Sequence, residues 1–161
     1  MLWYERKTDK QKGVMGMERV LMICTGNTCR SPMAAALLKE KMPELEVRSA
    51  GIGAAAGMPP AAEAVDVLQE HGIHLSGASV PVDETVVAWA DLILTMTASH
   101  QTLLATRYPA AADKAYTLAE FAGAEGDVAD PIGGTKEDYR RTAQMLEERL
   151  ARAAERIGKE M

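Results

Sequence analysis

A chain of 161 residues is long enough for one substantial hydrophobic core and short for two. With 47% hydrophobic and 25% charged residues it has the balance of an ordinary globular domain, and no apolar run approaches the roughly 20 residues of a membrane span. A formal net charge of −5 argues against a general nucleic-acid binder, and the 2 cysteines are too few for a disulfide framework or a structural zinc site.

Residues 1–17 (MLWYERKTDKQKGVMGM) carry four basic residues against two acidic ones and are expected to form an exposed, flexible extension, or an upstream start with Met17 the original initiator. They lack the apolar segment of a secretory signal. Residues 18–161 then read as a single domain. Arg19 to Ile23 is the first predicted strand, a continuous apolar run of the kind buried on both faces of a parallel sheet. It ends at Cys24, and Ser31-Pro32 opens an Ala- and Leu-rich helix running to Met42, with Ser31 read as its N-cap and Pro43 as its stop.

The loop between them, Cys24-Thr25-Gly26-Asn27-Thr28-Cys29-Arg30, is thus held between a strand end and a helix N-terminus. Unpaired amides at such a terminus, with the positive end of the helix dipole, make an anion site. Gly26 is expected to let the backbone bend inward without interference from a Cβ. Arg30 adds a planar fork of donors suited to a phosphate-like oxyanion. The field that attracts an anion also favours the thiolate of Cys24, a nucleophile.

Glu46 to Ala50 is a short second strand leading into the turn Gly51-Ile52-Gly53. Pro59-Pro60 starts a helix through Glu70 that Gly72 terminates, with His71 and His74 on the surface beside it. Val80 to Val82 is extended, Asp83-Glu84 opens a short helix to Ala90, and Asp91 to Met96 is the third strand. Thr97 begins a helix to about Arg107, on which His100 reads as a surface residue, and Lys114 to Leu118 is the fourth strand. Ala119 to Ala129 reads as a loop. After Asp130-Pro131-Ile132-Gly133-Gly134 comes a final helix from Lys136 to about Gly158. Its residues Tyr139, Ala143, Leu146, Leu150, Ala153 and Ile157 recur at helical spacing as one apolar stripe. Four strands alternating with helices predict an α/β fold, a doubly wound parallel sheet with helices on both faces. Ligands in such folds sit beyond the carboxyl ends of the strands, where Cys24 lies.

Cys24 and Arg30 with five residues between them, followed by Ser31-Pro32, resemble the signature of low-molecular-weight protein tyrosine phosphatases. The full string CTGNTCRSPMA looks most like the bacterial protein arginine phosphatase branch, and Arg48-Ser49-Ala50-Gly51 and Asp130-Pro131 match the family at corresponding places. The resemblance covers about residues 18–158 and implies a four-stranded sheet ordered 2-1-3-4. It also implies a double displacement on phosphorylated protein substrates. Cys24 attacks phosphorus to give a phosphocysteine. Arg30 and the loop amides of Thr25, Gly26, Asn27, Thr28, Cys29 and Ser31 hold the phosphoryl oxygens, and Asp130 serves as general acid and then base. Ser31 would stabilise the thiolate and Asn27 would brace the loop. No metal or cofactor is needed on this reading, because Arg30 and the amides neutralise the charge.

Two features separate phosphoarginine from phosphotyrosine. Tyrosine-specific members carry aromatic residues after the Asp-Pro, where this chain has Ile132-Gly133-Gly134, and an aliphatic residue where it has Thr28. Both favour phosphoarginine, whose guanidinium Asp130 could also pair. Phosphotyrosine is the alternative. An arsenate reductase needs a further cysteine pair downstream, which is lacking, and a non-catalytic phosphate-binding module would not need both Cys24 and Asp130. Cys29 reads either as a small packed thiol or as a redox partner that traps an oxidised Cys24 as a disulfide. A cytoplasmic monomer with neither nucleic-acid nor membrane partner is expected.

Overall fold

The computed structural model describes residues 17–160. The expected extension therefore lies outside the described residues, except for Met17, which packs against the core. Four strands, β1 (Arg19–Cys24), β2 (Glu46–Gly51), β3 (Leu92–Thr95) and β4 (Ala115–Thr117), form one parallel sheet in the order β2-β1-β3-β4. The helices are α1 (Arg30–Lys41), α2 (Ala62–Glu70), α3 (Glu84–Trp89), α4 (Ala98–Arg107), α5 (Leu118–Ala122) and α6 (Lys136–Glu160), with a 3-10 turn over Pro109–Lys114. Among the described residues no helix is long and apolar enough to cross a membrane.

The unbroken apolar run of β1 follows from its place at the centre of the sheet. Val20, Met22 and Cys24 point into one core, completed by Met33, Leu37 and Leu38 of α1, by Val67 and Leu68 of α2 and by α6. Leu21 and Ile23 point into the other, with Val86 and Val87 of α3, Ile93 and Leu104. Every member of the predicted α6 stripe is at most 2% exposed. Parallel pairing sets Cys24 beside Gly51 and Ile23 beside Thr95, so the C-terminal ends of three strands meet at one edge.

Several boundaries differ from those read in the sequence, each for a local reason. Helix α1 begins at Arg30, with Cys29 in the cap position and no side-chain cap bond, so Ser31 and Pro32 lie inside the first turn. Helix α2 begins at Ala62 rather than at Pro59. A residue preceding proline is driven to extended backbone, and the Ala61 amide is committed to the Thr28 carbonyl at 2.9 Å. Leu118, read as the end of the fourth strand, and residues 119–122, read as loop, form α5 because Thr117 and Glu120 make a reciprocal capping box, and Gly123 closes it at φ 70°. Thr97 and Asp83 cap α4 and α3 by accepting amides three residues on. Helix α6 continues through Gly158 to Glu160.

Candidate active site

The loop from Cys24 to Arg30 leaves the carboxyl end of β1 and closes at the N-terminus of α1. Its turn is made at Asn27, which takes the left-handed conformation (φ 57°) that asparagine tolerates better than most residues. The side chain, buried to 3% exposure, is fully engaged. Its Nδ2 donates to Ser31 Oγ and to Ser49 Oγ, each at 2.9 Å, and its Oδ1 accepts the Val80 amide at 2.8 Å. Asn27 therefore ties the loop to α1, to β2 and to the segment before α3 at once.

Gly26 proves not to be the glycine the loop demands. A Cβ there would meet only Thr28 Oγ1, at an ordinary 3.8 Å. The demanding position is Gly51, at the end of β2, where a Cβ would fall 2.5 Å from the Thr25 carbonyl oxygen and 3.0 Å from the Asn27 nitrogen. The loop lies directly on this backbone. The Ile52 amide donates to the Cys24 carbonyl at 2.9 Å and the Gly53 amide to that of Thr25 at 3.0 Å.

Cys24 is a free thiol, 3% exposed, with its Sγ 2.9 Å from Ser31 Oγ. Because Asn27 donates to the Ser31 oxygen, the Ser31 proton is free to point at sulfur, which suits a thiolate. Arg30, 5% exposed, is fixed by donating through Nη1 to the Val128 carbonyl at 3.0 Å. Its Nη2 reaches Thr25 Oγ1 at 3.5 Å and Asp130 Oδ2 at 3.4 Å. Asp130, from the loop before α6, thus meets the cysteine loop through Arg30 and keeps 44% of its side chain exposed. Its Oδ1 accepts the Ile132 amide at 3.1 Å, a local turn that holds the carboxylate against Pro131. Asp127 accepts the Ala98 amide at 2.9 Å and the Val128 amide donates to the Met96 carbonyl at 2.9 Å, anchoring the same loop to β3 and α4.

Cys29, the other free thiol, is buried beneath the loop with its Sγ 3.4 Å from the Tyr139 hydroxyl and 3.8 Å from Thr28 Oγ1. Burial, reinforced by Cys29, raises the phenol pKa of Tyr139 above its ordinary range, so the phenol keeps its proton beside the sulfur. Of the candidate residues, Cys24, Asn27 and Ser31 form one set joined by these contacts and Thr25, Arg30 and Asp130 another, Thr28 and Gly26 line the turn, and Cys29 faces α6.

Two participants went unread in the sequence. Ser49, inside the quoted Arg48–Gly51 string, is a partner of Asn27. His100 is not a surface residue: it is 4% exposed and its Nε2 lies 2.8 Å from Thr25 Oγ1. Burial, and after it the Arg30 guanidinium, push its pKa down to about 4. A signal was present, because His100 falls one helical turn before the buried Leu104 and shares its face. His71 and His74 are exposed, as expected.

Comparison with known proteins places this geometry. Residues 19–161 match the family described as low molecular weight phosphotyrosine protein phosphatase. A protein-arginine-phosphatase of Geobacillus stearothermophilus is 45% identical over 141 residues, covering 86% of this chain and 95% of its own. The solved structure of YwlE arginine phosphatase from the same organism superposes with a TM-score of 0.85 at 45% identity, over 88% of this chain and 93% of that one. A YwlE arginine phosphatase mutant bearing a phosphorylated active-site serine superposes at 0.84 with 39% identity, over 87% and 95% of the two chains.

Proposed function

The chain belongs to the low molecular weight phosphotyrosine protein phosphatase family, and we propose that it is a cysteine-dependent protein phosphatase that hydrolyses phosphoarginine in cytoplasmic proteins through a phosphocysteine intermediate. The observation that carries the reading is Arg30, whose one guanidinium touches the nucleophile's loop at Thr25 and the Asp130 carboxylate together.

The chemistry follows from that arrangement. Cys24 thiolate attacks phosphorus in line with the scissile P–N bond, and the Arg30 fork and loop amides hold the equatorial oxygens as charge redistributes. Asp130, protonated for this step, gives its proton to the departing guanidino nitrogen. A water then attacks the phosphocysteine, Asp130 takes its proton back, and the sulfur leaves as a thiolate stabilised by the Ser31 hydroxyl at 2.9 Å. The phosphorylated serine in the superposing arginine phosphatase supports a covalent phosphoenzyme on this scaffold.

Thr28 and the absence of aromatic residues after Asp130-Pro131 favour the narrower phosphoramidate. Phosphotyrosine remains the second reading, favoured by Ile132, whose apolar side chain is 65% exposed beside Asp130 and offers a wall to a phenol ring. Turnover of matched phosphoarginine and phosphotyrosine peptides in metal-free buffer decides between them. A higher kcat/KM on phosphoarginine is expected, and a preference for phosphotyrosine overturns the assignment.

A further inference from the structure

His100 is buried against the candidate loop, has no part in the mechanism above, and leaves one ring nitrogen, Nδ1, buried without a hydrogen-bond partner. Burial, and after it Arg30, hold its pKa well below the ordinary range, so the ring is neutral near pH 7. A neutral imidazole carries one proton, and the two placements differ in what they leave buried. With the proton on Nδ1, an N–H group would be sealed away from any acceptor, the costlier and rarer defect. With the proton on Nε2, only a lone pair is orphaned, and the N–H is used on Thr25 Oγ1 at 2.8 Å.

The same oxygen also accepts from Arg30 Nη2 at 3.5 Å. A hydroxyl oxygen has two lone pairs, and both are then occupied by donors. The Thr25 proton is left to point away from His100 and Arg30. Thr25 is exposed, so a ligand seated at the loop can reach that proton.

We infer that His100 is a positioning residue which, by donating to Thr25 Oγ1, turns the Thr25 hydroxyl into a donor aimed at a phosphoryl oxygen of the substrate. This rests on the phosphatase reading and adds to it a side-chain donor, Thr25, set in place by a group that never touches substrate. The step moves no proton, so His100 is neither the acid nor the base.

The test is a double-mutant cycle on the full chain, read as kcat/KM on a phosphoarginine peptide and on p-nitrophenyl phosphate, with inorganic phosphate inhibition as the binding measure. A donor to a charged oxygen is worth about ten- to hundredfold. Thr25→Val and His100→Ala are each expected to lose about that factor and to weaken phosphate inhibition, and the double variant should be no worse than Thr25→Val alone. Thr25→Ser and His100→Gln, which restore a hydroxyl and an N–H donor, should recover most of the loss. The groups facing His100 are Arg30, Asp127 and Asp130, and the pH profile of His100→Gln should keep both limbs of the unmutated enzyme. Should His100→Ala fail to fold, His100→Leu fills the site in its place. Thr25→Val at full rate, losses that multiply in the double variant, His100→Gln as poor as His100→Ala, or a vanished pH limb would each overturn the inference. Cys24→Ser separates the two levels. If it retains turnover, the phosphatase reading itself falls; if it is inactive while Thr25 and His100 are uncoupled, only this inference does.

Discussion

Replacing Gly51 by alanine tests how tightly the loop is built on the sheet. Gly51 pairs with Cys24 in the parallel register, and an added Cβ would lie 2.5 Å from the Thr25 carbonyl oxygen, 2.6 Å from Ala54 Cβ and 3.0 Å from the Asn27 nitrogen. Two of these three neighbours are backbone atoms of the loop itself, so no flexible side chain can swing aside. Gly51 is not among the glycines with positive φ, which makes the penalty steric rather than conformational. Overpacking of this kind costs about 1–3 kcal/mol, against a gain of about 0.4–1 kcal/mol from restricting the unfolded chain. The net, about 1–2 kcal/mol, corresponds to a Tm lower by roughly 2–8 °C for a domain of this size. The carbonyl of Thr25 and the amide of Asn27 must retreat, and a displacement near 1 Å at a reacting group costs on the order of a hundredfold in rate. Calorimetry and kcat/KM on an aryl phosphate measure both, with Gly158→Ala as control, since a Cβ there meets nothing within 4 Å. The control should gain up to about 1 kcal/mol from helix propensity. A Gly51→Ala variant that melts at or above the parent and turns over within twofold of it would refute the close-packing argument.

Asp130→Asn removes the proposed proton donor and should lower kcat by about 10²–10⁴ on substrates with poor leaving groups, and far less on activated aryl phosphates; equal losses across a leaving-group series would exclude it as the acid. Thr28→Ile should shift the ratio of phosphoarginine to phosphotyrosine turnover toward phosphotyrosine, and an unchanged ratio removes Thr28 from the specificity argument. Because burial lowers the His100 pKa to about 4, the unfolded chain binds a proton that the folded chain does not between about pH 6.5 and pH 4. Stability contributed by His100 is therefore present above that window and is lost as pH falls through it, by roughly 2–3 kcal/mol. Urea midpoints measured across the range should fall toward acid in the parent and fall less in His100→Gln. Mild peroxide should convert Cys24 and Cys29 to a disulfide that thiols reverse, seen by mass spectrometry as the loss of two hydrogens, whereas Cys29→Ser should progress to irreversible oxidation; an identical course in both would leave Cys29 a packed thiol.

What the sequence discloses here is what lies close together along it. β1 declares itself because a strand at the centre of a parallel sheet is apolar on both faces, and α6 because its stripe repeats at helical spacing. Cys24 to Ser31 stands out for the same reason, being a short string whose residue types suit one chemistry, whereas Asp130-Pro131 by itself reads as a turn and draws notice only through the family resemblance. Helix α5 could have been read from Thr117 and Glu120, but an Ala- and Gly-rich stretch with acid at its end masks a five-residue helix. Gly51, Ser49 and His100 are different. Each matters because folding sets it against the cysteine loop; the spacing of His100 to Leu104 signals its burial but not the loop that it meets. The interior place of Ser31 likewise follows from the start of α1 at Arg30, which the capping preference of serine alone does not predict.

The supports of the short loop come from far along the chain: Asn27 reaches Ser49 and Val80, 22 and 53 residues away, Thr25 meets His100 at 75, and Arg30 reaches Val128 at 98. A seven-residue turn is thus the product of nearly the whole topology, and such distant closures form late. On a ribosome, a nascent chain that has emerged only as far as β3 holds Ser49 and Val80 for Asn27 but neither His100 for Thr25 nor Val128 for Arg30. Catalytic competence should therefore arrive in one step with the closing of the last third of the polypeptide, and regain of activity during refolding would report completion of the entire domain.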